Sequence, residues 1–390
     1  MTVAYPFNET GSLGLNEAYY EALKAPGMLR IQMPHGEPAW LAVRYDDVRL
    51  VLGDKRFSRA MAASRDEPRM AAGRMTGGFL SMDPPDHTRI RTLVAKAFTV
   101  RRVEELRPRA REIATGLVKD MIEAGPPVDL VDTFALSLPV AVICELLGVP
   151  VEDRPKFRVW SDNALSTSRL TAEEFMANRQ ELRDYMQGLV EQRRANPRDD
   201  LMSALIEARD ERDRLSELEL VDTCNGILVA GHETTASQIP NFLVTLFERP
   251  EELAKLRSDP ALIPGAVEEL LRFVPLGAGG GFARYAKEDV QVGDVLVRQG
   301  EPVIVALAAA NRDTQRFTDP DELRVDQPPE QHMSFGHGVH HCLGAALARM
   351  ELQEALRALL SELPGIHLAG EIVWKTEMLV RGPVSMPVAW

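Results

Sequence analysis

Phe335-Gly-His-Gly-Val-His-His-Cys342-Leu-Gly344 is the stretch on which the reading of this chain turns. Three glycines and three histidines surround one cysteine within ten residues, a mixture that does not build an apolar core. Glycines let a backbone approach a bulky ligand and aim several N–H groups at one point. A helical pattern begins at Leu343, and the partial positive charge of a helix N-terminus stabilises a thiolate. The stretch reads as a loop offering one anionic sulfur to a ligand, tuned by its surroundings. A lone cysteine is more often a small buried hydrophobe. That describes Cys144 and Cys224, inside apolar helical patterns, better than Cys342. Zinc fits poorly: there is no Cys-x-x-Cys pair, and adjacent His340, His341 and Cys342 rarely converge on one tetrahedral ion.

Working outward, the helix after the cysteine is expected over 343–363, stopped by Pro364-Gly365. Helices are expected to dominate 85–275. Leu106, Ala110, Ile113, Leu117 and Met121 form an amphipathic stripe. A second helix over 139–147 is closed by Gly148, and others cover 172–194, 200–209 and 262–273. Ser216-Glu-Leu-Glu219 is a capping box that opens a very long helix ending before Pro250. Alternation predicts a strand over 40–45, then a short helix opened by Asp46 and stopped near Gly53. Residues 290–297 read as a hairpin with a Gly-Asp turn, and Gly300 precedes a further strand at 303–305. Residues 59–82 and 311–331 have no clear period and read as long loops. No linker interrupts the pattern. The expectation is one domain over 1–390, mainly α with a minor β portion, an α+β class.

The 390 residues are 45% hydrophobic, enough for a large core, which excludes disorder as the main state. The net charge of −13 disfavours general nucleic-acid binding, which needs cationic surface. Three widely spaced cysteines make no disulfide framework and fit a reducing compartment. The first residues show no basic-then-apolar leader, and the longest apolar run, 303–310, is far short of a bilayer span. The expected location is the cytoplasm, away from membranes.

Three further motifs carry chemistry. Ala230-Gly-His-Glu-Thr-Thr235 lies mid-way along the long helix, amid Ile227, Leu228, Val229 and Ile239. Glycine and β-branched residues weaken a helix there, as does Pro240, and such local conflict marks a functional site. Glu269 and Arg272 stand one helical turn apart, ordinarily a surface pair worth ~0.2–0.5 kcal/mol. His87 and Arg91, in Asp83-Pro-Pro-Asp-His-Thr-Arg-Ile-Arg91, share a helix face and suit an anion.

Together these resemble the cytochrome P-450 monooxygenases, specifically soluble actinobacterial members that tailor macrolides and other secondary metabolites. The match rests on Phe335, Gly338, His340, Cys342 and Gly344 of the haem-binding signature, on 230–235, on Glu269-x-x-Arg272, and on His87-x-x-x-Arg91. It spans the chain from about residue 40 with the motifs in family order. The resemblance implies haem b, with Cys342 as axial thiolate whose electron donation favours O–O cleavage. It implies propionate contacts from His87, Arg91, Arg284 and His340, with Phe335 packed beside the sulfur. Glu233 would relay protons and Thr234 would hydrogen-bond bound dioxygen, while Ala230 and Gly231 leave room above the iron. Glu269 and Arg272 become a structural pair. Asn311-Arg-Asp313 also matches. One stretch departs, Pro320-Asp-Glu-Leu-Arg324, where Arg324 is a candidate third partner for that pair.

Substrate contacts are expected from Met61, Met75 and Leu80, from Val229 and Gly231, from Gly279 and Gly280, and from Val380 in the last loop. Flexible methionines and glycines suit a bulky apolar ligand. The expected reaction inserts one oxygen atom of O2, by hydroxylation or epoxidation. Oxidative ring closure or C–N or C–C coupling on the same scaffold is the alternative. A non-enzymatic haem sensor has no need of Glu233-Thr234, and peroxide-driven relatives lack that pair. No reductase is fused, so a ferredoxin and ferredoxin reductase are the expected electron donors. Residues 86–111 hold eight basic and three acidic side chains, a local +5 where an acidic donor could dock.

Overall fold

The computed structural model describes residues 2–7, 13–74, 78–167, 170–210, 215–277, 279, 281–329 and 331–390. In chain order the helices are α1 (Glu17–Lys24), α2 (Tyr45–Gly53), α3 (Asp86–Ala95), α4 (Val100–Ala124), α5 (Ser137–Leu147), α6 (Arg154–Ala164) and α7 (Ala172–Ala195). Then follow α8 (Leu201–Asp210), α9 (Glu217–Phe247), α10 (Pro250–Ser258), α11 (Ile263–Phe273), α12 (Leu307–Ala310) and α13 (Ala345–Glu362).

Helix α9 is the axis of the α part. Ser216 accepts from the Glu219 N–H while Glu219 reaches back to the Ser216 N–H, so the expected capping box forms. The helix runs unbroken through the Gly-His-Glu-Thr stretch and Pro240. It packs against α5, α6, α7 and α13, and these layers share one apolar cluster. Burial on every face from Thr235 to Leu246, rather than local propensity, keeps it helical past Pro240.

The stripe on α4 is rotated from its expected line. Val103, Ala110, Ala114, Val118 and Met121 are buried, while Leu106, Ile113 and Leu117 are half-buried. This face packs against α13, with Arg107 and Arg111 reaching Glu354 across the contact. Gly148 closes α5 in the left-handed region at φ +75°, as a helix C-terminus favours.

The β part is a six-stranded sheet in the spatial order 3–4, 29–32, 39–42, 302–305, 284–286, 57–58. The expected strand at 40–45 is Ala39–Ala42, and α2 already begins at Tyr45, not Asp46. The reason lies far along the chain. Asp313 Oδ2 accepts the Tyr45 N–H at 2.9 Å and does the work of a local cap. The hairpin forms as expected, Val290–Val292 against Val295–Val297, with Gly293 at φ +52°. Among the described residues no helix is long and apolar enough to cross a membrane.

Candidate haem-thiolate site

The cysteine loop is held from below by the end of α11 and from the side by α2. Asn311 Oδ1 accepts the Met333 N–H at 2.7 Å, and Asn311 Nδ2 donates to Ser334 Oγ at 2.8 Å. Ser334 in turn donates to the Leu271 carbonyl at 2.7 Å. The Cys342 N–H closes the loop on the Phe335 carbonyl at 2.8 Å. Gly338 sits at φ +71°, and a Cβ there would overlap the Leu52 carbonyl and lie 2.9 Å from Gly53 Cα. This glycine therefore serves the close approach of α2, not of a ligand. A Cβ on Gly344 would meet no described atom within 4 Å.

Helix α13 starts at Ala345, two residues later than expected. Cys342 keeps an accessible face, while Cys144 and Cys224 are buried. Burial pushes the Cys224 thiol up to about 12, which leaves it inert. At Cys342 opposing influences meet. Burial raises its pKa, and the Gly344 N–H, Arg91 and Arg349 pull only part of the way back. A metal ion on the sulfur would hold it as the thiolate.

Beside the loop, the expected anion-binding residues do come together. The rings of His87 and His340 lie 4.3 Å apart, and His87 is 1% exposed. Neither nitrogen of either ring has a hydrogen-bond partner among the described residues. Burial, then Arg284 and His87, push His340 down to about 3. Burial, then Arg91, lower His87. Arg284 stands on its strand with 8% exposure, pushed down to about 10 by burial and by Arg59. Arg91 donates to the His341 carbonyl at 2.6 Å. Buried donors crowded without an acceptor are costly unless an anion completes them. Phe335 lies against this loop, its ring 6.4 Å from that of His341.

On α9, Thr234 Oγ donates to the Ala230 carbonyl at 2.8 Å. Glu233 is fully buried. Its Oε1 takes the Lys375 ammonium and the Ser237 hydroxyl, and Lys375 also reaches Ser237 Oγ at 2.9 Å. Lys375 was not foreseen. It lies near the C-terminus in a segment without period, and only the folded hairpin brings it to α9. Glu351 of α13 was missed too. It is 1% exposed, burial pushes its pKa well above 4.5, and the Thr235 hydroxyl tempers that without either carboxyl oxygen completing a well-formed hydrogen bond. Glu351 therefore sits as a neutral acid between α13 and α9.

The Glu269–Arg272 pair is buried, not superficial, with oxygen–nitrogen distances of 2.7 and 2.8 Å. Arg272 also donates to the Asn311, Pro320 and Glu322 carbonyls. The Arg324 side chain is not the third partner. It pairs with Asp319 and Glu322, and only its N–H reaches Glu269, at 3.3 Å. Backbone carbonyls complete the arginine instead.

The substrate candidates scatter. Val229 is half-buried on α9 against the main core, and Met61 packs on the sheet-side cluster. Leu80 is exposed. A Cβ on Gly231 would point at Ile143 of α5, 3.1 Å away, so its smallness serves helix packing. Gly279 adopts φ +81°. Met75 and Gly280 lie outside the described residues. Val380 is buried in a loop bridged to its neighbours: Gly277 pairs with Val380, Ser166 with Met378, and the Arg381 N–H donates to Leu276.

Comparison with known proteins settles what these features share. The family model for cytochrome P450 matches residues 156–261 and 260–364. The chain belongs to the cytochrome P450 family. It is 53% identical over 390 residues to mycinamicin IV hydroxylase/epoxidase of Micromonospora griseorubida, covering 99% of this chain and 98% of that one. It is 50% identical to nocardicin C N-oxygenase of Nocardia uniformis subsp. tsuyamanensis, covering 100% and 99%. Among solved structures, HinD with NMFT and NO superposes with a TM-score of 0.97 at 47% identity, covering all of both chains. MycG F286A in complex with mycinamicin IV gives 0.93 at 53%, again over both whole chains. This cytochrome P450 is thus a haem-thiolate monooxygenase that draws electrons from redox partners and uses O2 and a substrate. The residues present fit that cofactor: one accessible sulfur, the rings of His87 and His340 with no partner among the described residues, and the guanidinium groups of Arg284 and Arg91 beside the same loop.

Proposed function

We propose that Cys342 is the axial thiolate and that this P450 oxygenates a bulky, mainly apolar secondary metabolite of macrolide type. The whole chain, 1–390, acts as one catalytic domain. The observation that carries the site assignment is the cluster of His87, His340, Arg284 and Arg91 beside the cysteine loop, with ring nitrogens unmatched among the described residues. That is what two carboxylates at the edge of a porphyrin require. The relative named mycinamicin IV hydroxylase/epoxidase supports the macrolide type, and the one named nocardicin C N-oxygenase supports only a secondary metabolite.

The bound haem supplies the activation of O2. The chain's residues do the rest. His87, His340, Arg284 and Arg91 fix the cofactor by its acidic edge. Phe335 shields the sulfur from water. Thr234 holds its hydroxyl on the Ala230 carbonyl and can turn it toward the cavity. Glu233 carries protons toward that hydroxyl once its carboxylate leaves Lys375.

A ferredoxin with its reductase is the proposed donor. The basic stretch is less free than its count suggests. Arg101 and Arg102 share Glu105, Arg109 pairs with Glu112 and Glu145, and Arg107 and Arg111 hold the buried Glu354. Arg101 and Arg102 remain exposed enough to meet a partner. Reversing both charges should slow ferredoxin-driven turnover with substrate binding unchanged; equal turnover would remove this surface from the proposal.

The site is tested by the ferrous–CO spectrum. Wild type should show the red-shifted thiolate band, and Cys342→Ser should lose it. A wild type without that band ends the assignment. A macrolide panel scored by haem spin-state shift, followed by product mass, then tests the substrate class. Gain of one oxygen supports oxygenation, and loss of two hydrogens would overturn it in favour of coupling.

A further inference from the structure

Seven residues after Cys342, Arg349 on α13 turns back over the cysteine loop. Its guanidinium lies 4.4 Å from the centre of the Phe335 ring, the ring whose own carbonyl accepts the Cys342 N–H. A planar guanidinium stacks on an aromatic face in this way. Glu268 of α11 grips the same guanidinium with both oxygens, Nε to Oε1 at 2.7 Å and Nη2 to Oε2 at 2.9 Å. His332 adds a third contact, Nε2 to Glu268 Oε2 at 3.2 Å, and its ring sits 5.9 Å from Phe335. Burial would raise the Glu268 carboxyl, but His332 and Arg349 outweigh it and hold it at about 2. Three side chains, Phe335, Glu268 and His332, therefore lock one cation against the loop. Arg349 is one of two arginines set against the cysteine loop. The other, Arg91, is already engaged with the His341 carbonyl. No step of the proposed function uses Arg349.

We infer that the Glu268–Arg349 pair is a positioning device that sets how readily the iron on Cys342 is reduced, an inference that rests on Cys342 being the axial ligand. Reduction of ferric to ferrous iron adds one negative charge to the metal–sulfur unit. A cation fixed beside that unit favours the reduced form, and the carboxylate gripping the cation moderates it. The two partners must therefore act with opposite signs.

The test is potentiometric titration of the purified, substrate-free holoprotein with dithionite and redox dyes, with a ferrous–CO spectrum of every variant. Arg349→Met should shift the midpoint negative and Glu268→Gln should shift it positive. Each shift should correspond to about a tenfold change in the ferric-to-ferrous ratio, ~59 mV for one electron. Arg349→Lys keeps the charge and should stay near wild type. Shifts of opposite sign support the inference, since mere loosening of the loop would move both variants the same way. Unchanged midpoints, or shifts of the same sign, in variants that keep the thiolate band overturn it. Absence of the band in wild type would instead overturn the ligand assignment.

Discussion

Replacing Lys375 with methionine tests the most exposed weakness of the distal side. In the wild type this ammonium closes on Glu233 in a pair whose side chains are 10% and 0% exposed. It also bonds Ser237 Oγ at 2.9 Å. The second Glu233 oxygen has no partner among the described residues, so the lysine is the carboxylate's main compensation. Methionine keeps the volume of the stem and removes the charge. Breaking one side of a buried ion pair costs about 3–5 kcal/mol. With an unfolding entropy of ~2.1 cal/mol/K per residue, that lowers Tm by roughly 4–6 °C. Glu233→Gln strands the ammonium and should cost a similar amount. The double variant buries neither charge, so its loss should fall short of the sum by at least ~2 kcal/mol, where independent sites add to within about 0.5 kcal/mol. The assay is thermal unfolding of the four holoproteins by circular dichroism at one scan rate, with haem content matched. Additive losses would refute the reasoning, as would a Lys375→Met melt within about 1 °C of wild type.

Two further perturbations separate packing from chemistry. Gly338→Ala forces a Cβ onto the Leu52 carbonyl at φ +71°; strain of ~1–2 kcal/mol plus the overlap should lower the haem-to-protein absorbance ratio, and an unchanged ratio would show that α2 yields easily. Glu351→Gln replaces an acid that the fold keeps neutral, its pKa raised by burial well above 4.5. The folded chain then holds a proton that the unfolded chain releases, so wild-type stability falls as pH rises above the unfolded value, by up to about 1.4 kcal/mol per unit. The variant should lose that slope and melt higher than wild type at neutral pH, with the gain vanishing in mild acid; a gain independent of pH would contradict a neutral Glu351.

Much of the proximal side was legible because it is local in sequence. The loop 335–344 carries its glycines, its histidines and its cysteine within ten residues, and the capping box at Ser216 announces α9 within four. What was not legible depends on residues brought together from afar. Asp313 caps a helix that starts at Tyr45, hundreds of positions away. Lys375 reaches Glu233 only because a hairpin near the C-terminus folds back on α9. Gly231 and Gly338 looked like room for a ligand, but one faces Ile143 and the other α2, since a missing side chain has no direction in a sequence. The Glu269–Arg272 spacing was plain, yet its burial and its completion by three carbonyls depend on 311–322 coiling over it.

The loop that carries Val380 has a consequence for changing what this enzyme accepts. Its backbone is paired with Ser166 on one side and Gly277 on the other, and the Lys375 N–H at its base bonds the Gly382 carbonyl. The same short segment that carries the proposed substrate contact Val380 thus carries, at its base, the only cation that the described residues place on Glu233. A substitution that reshapes the tip will also tilt the base, and with it the acid. On the roles proposed for Val380 and Glu233, selectivity and proton supply are mechanically linked, and variants selected for a new substrate at 377–381 should be screened for peroxide leakage as routinely as for product.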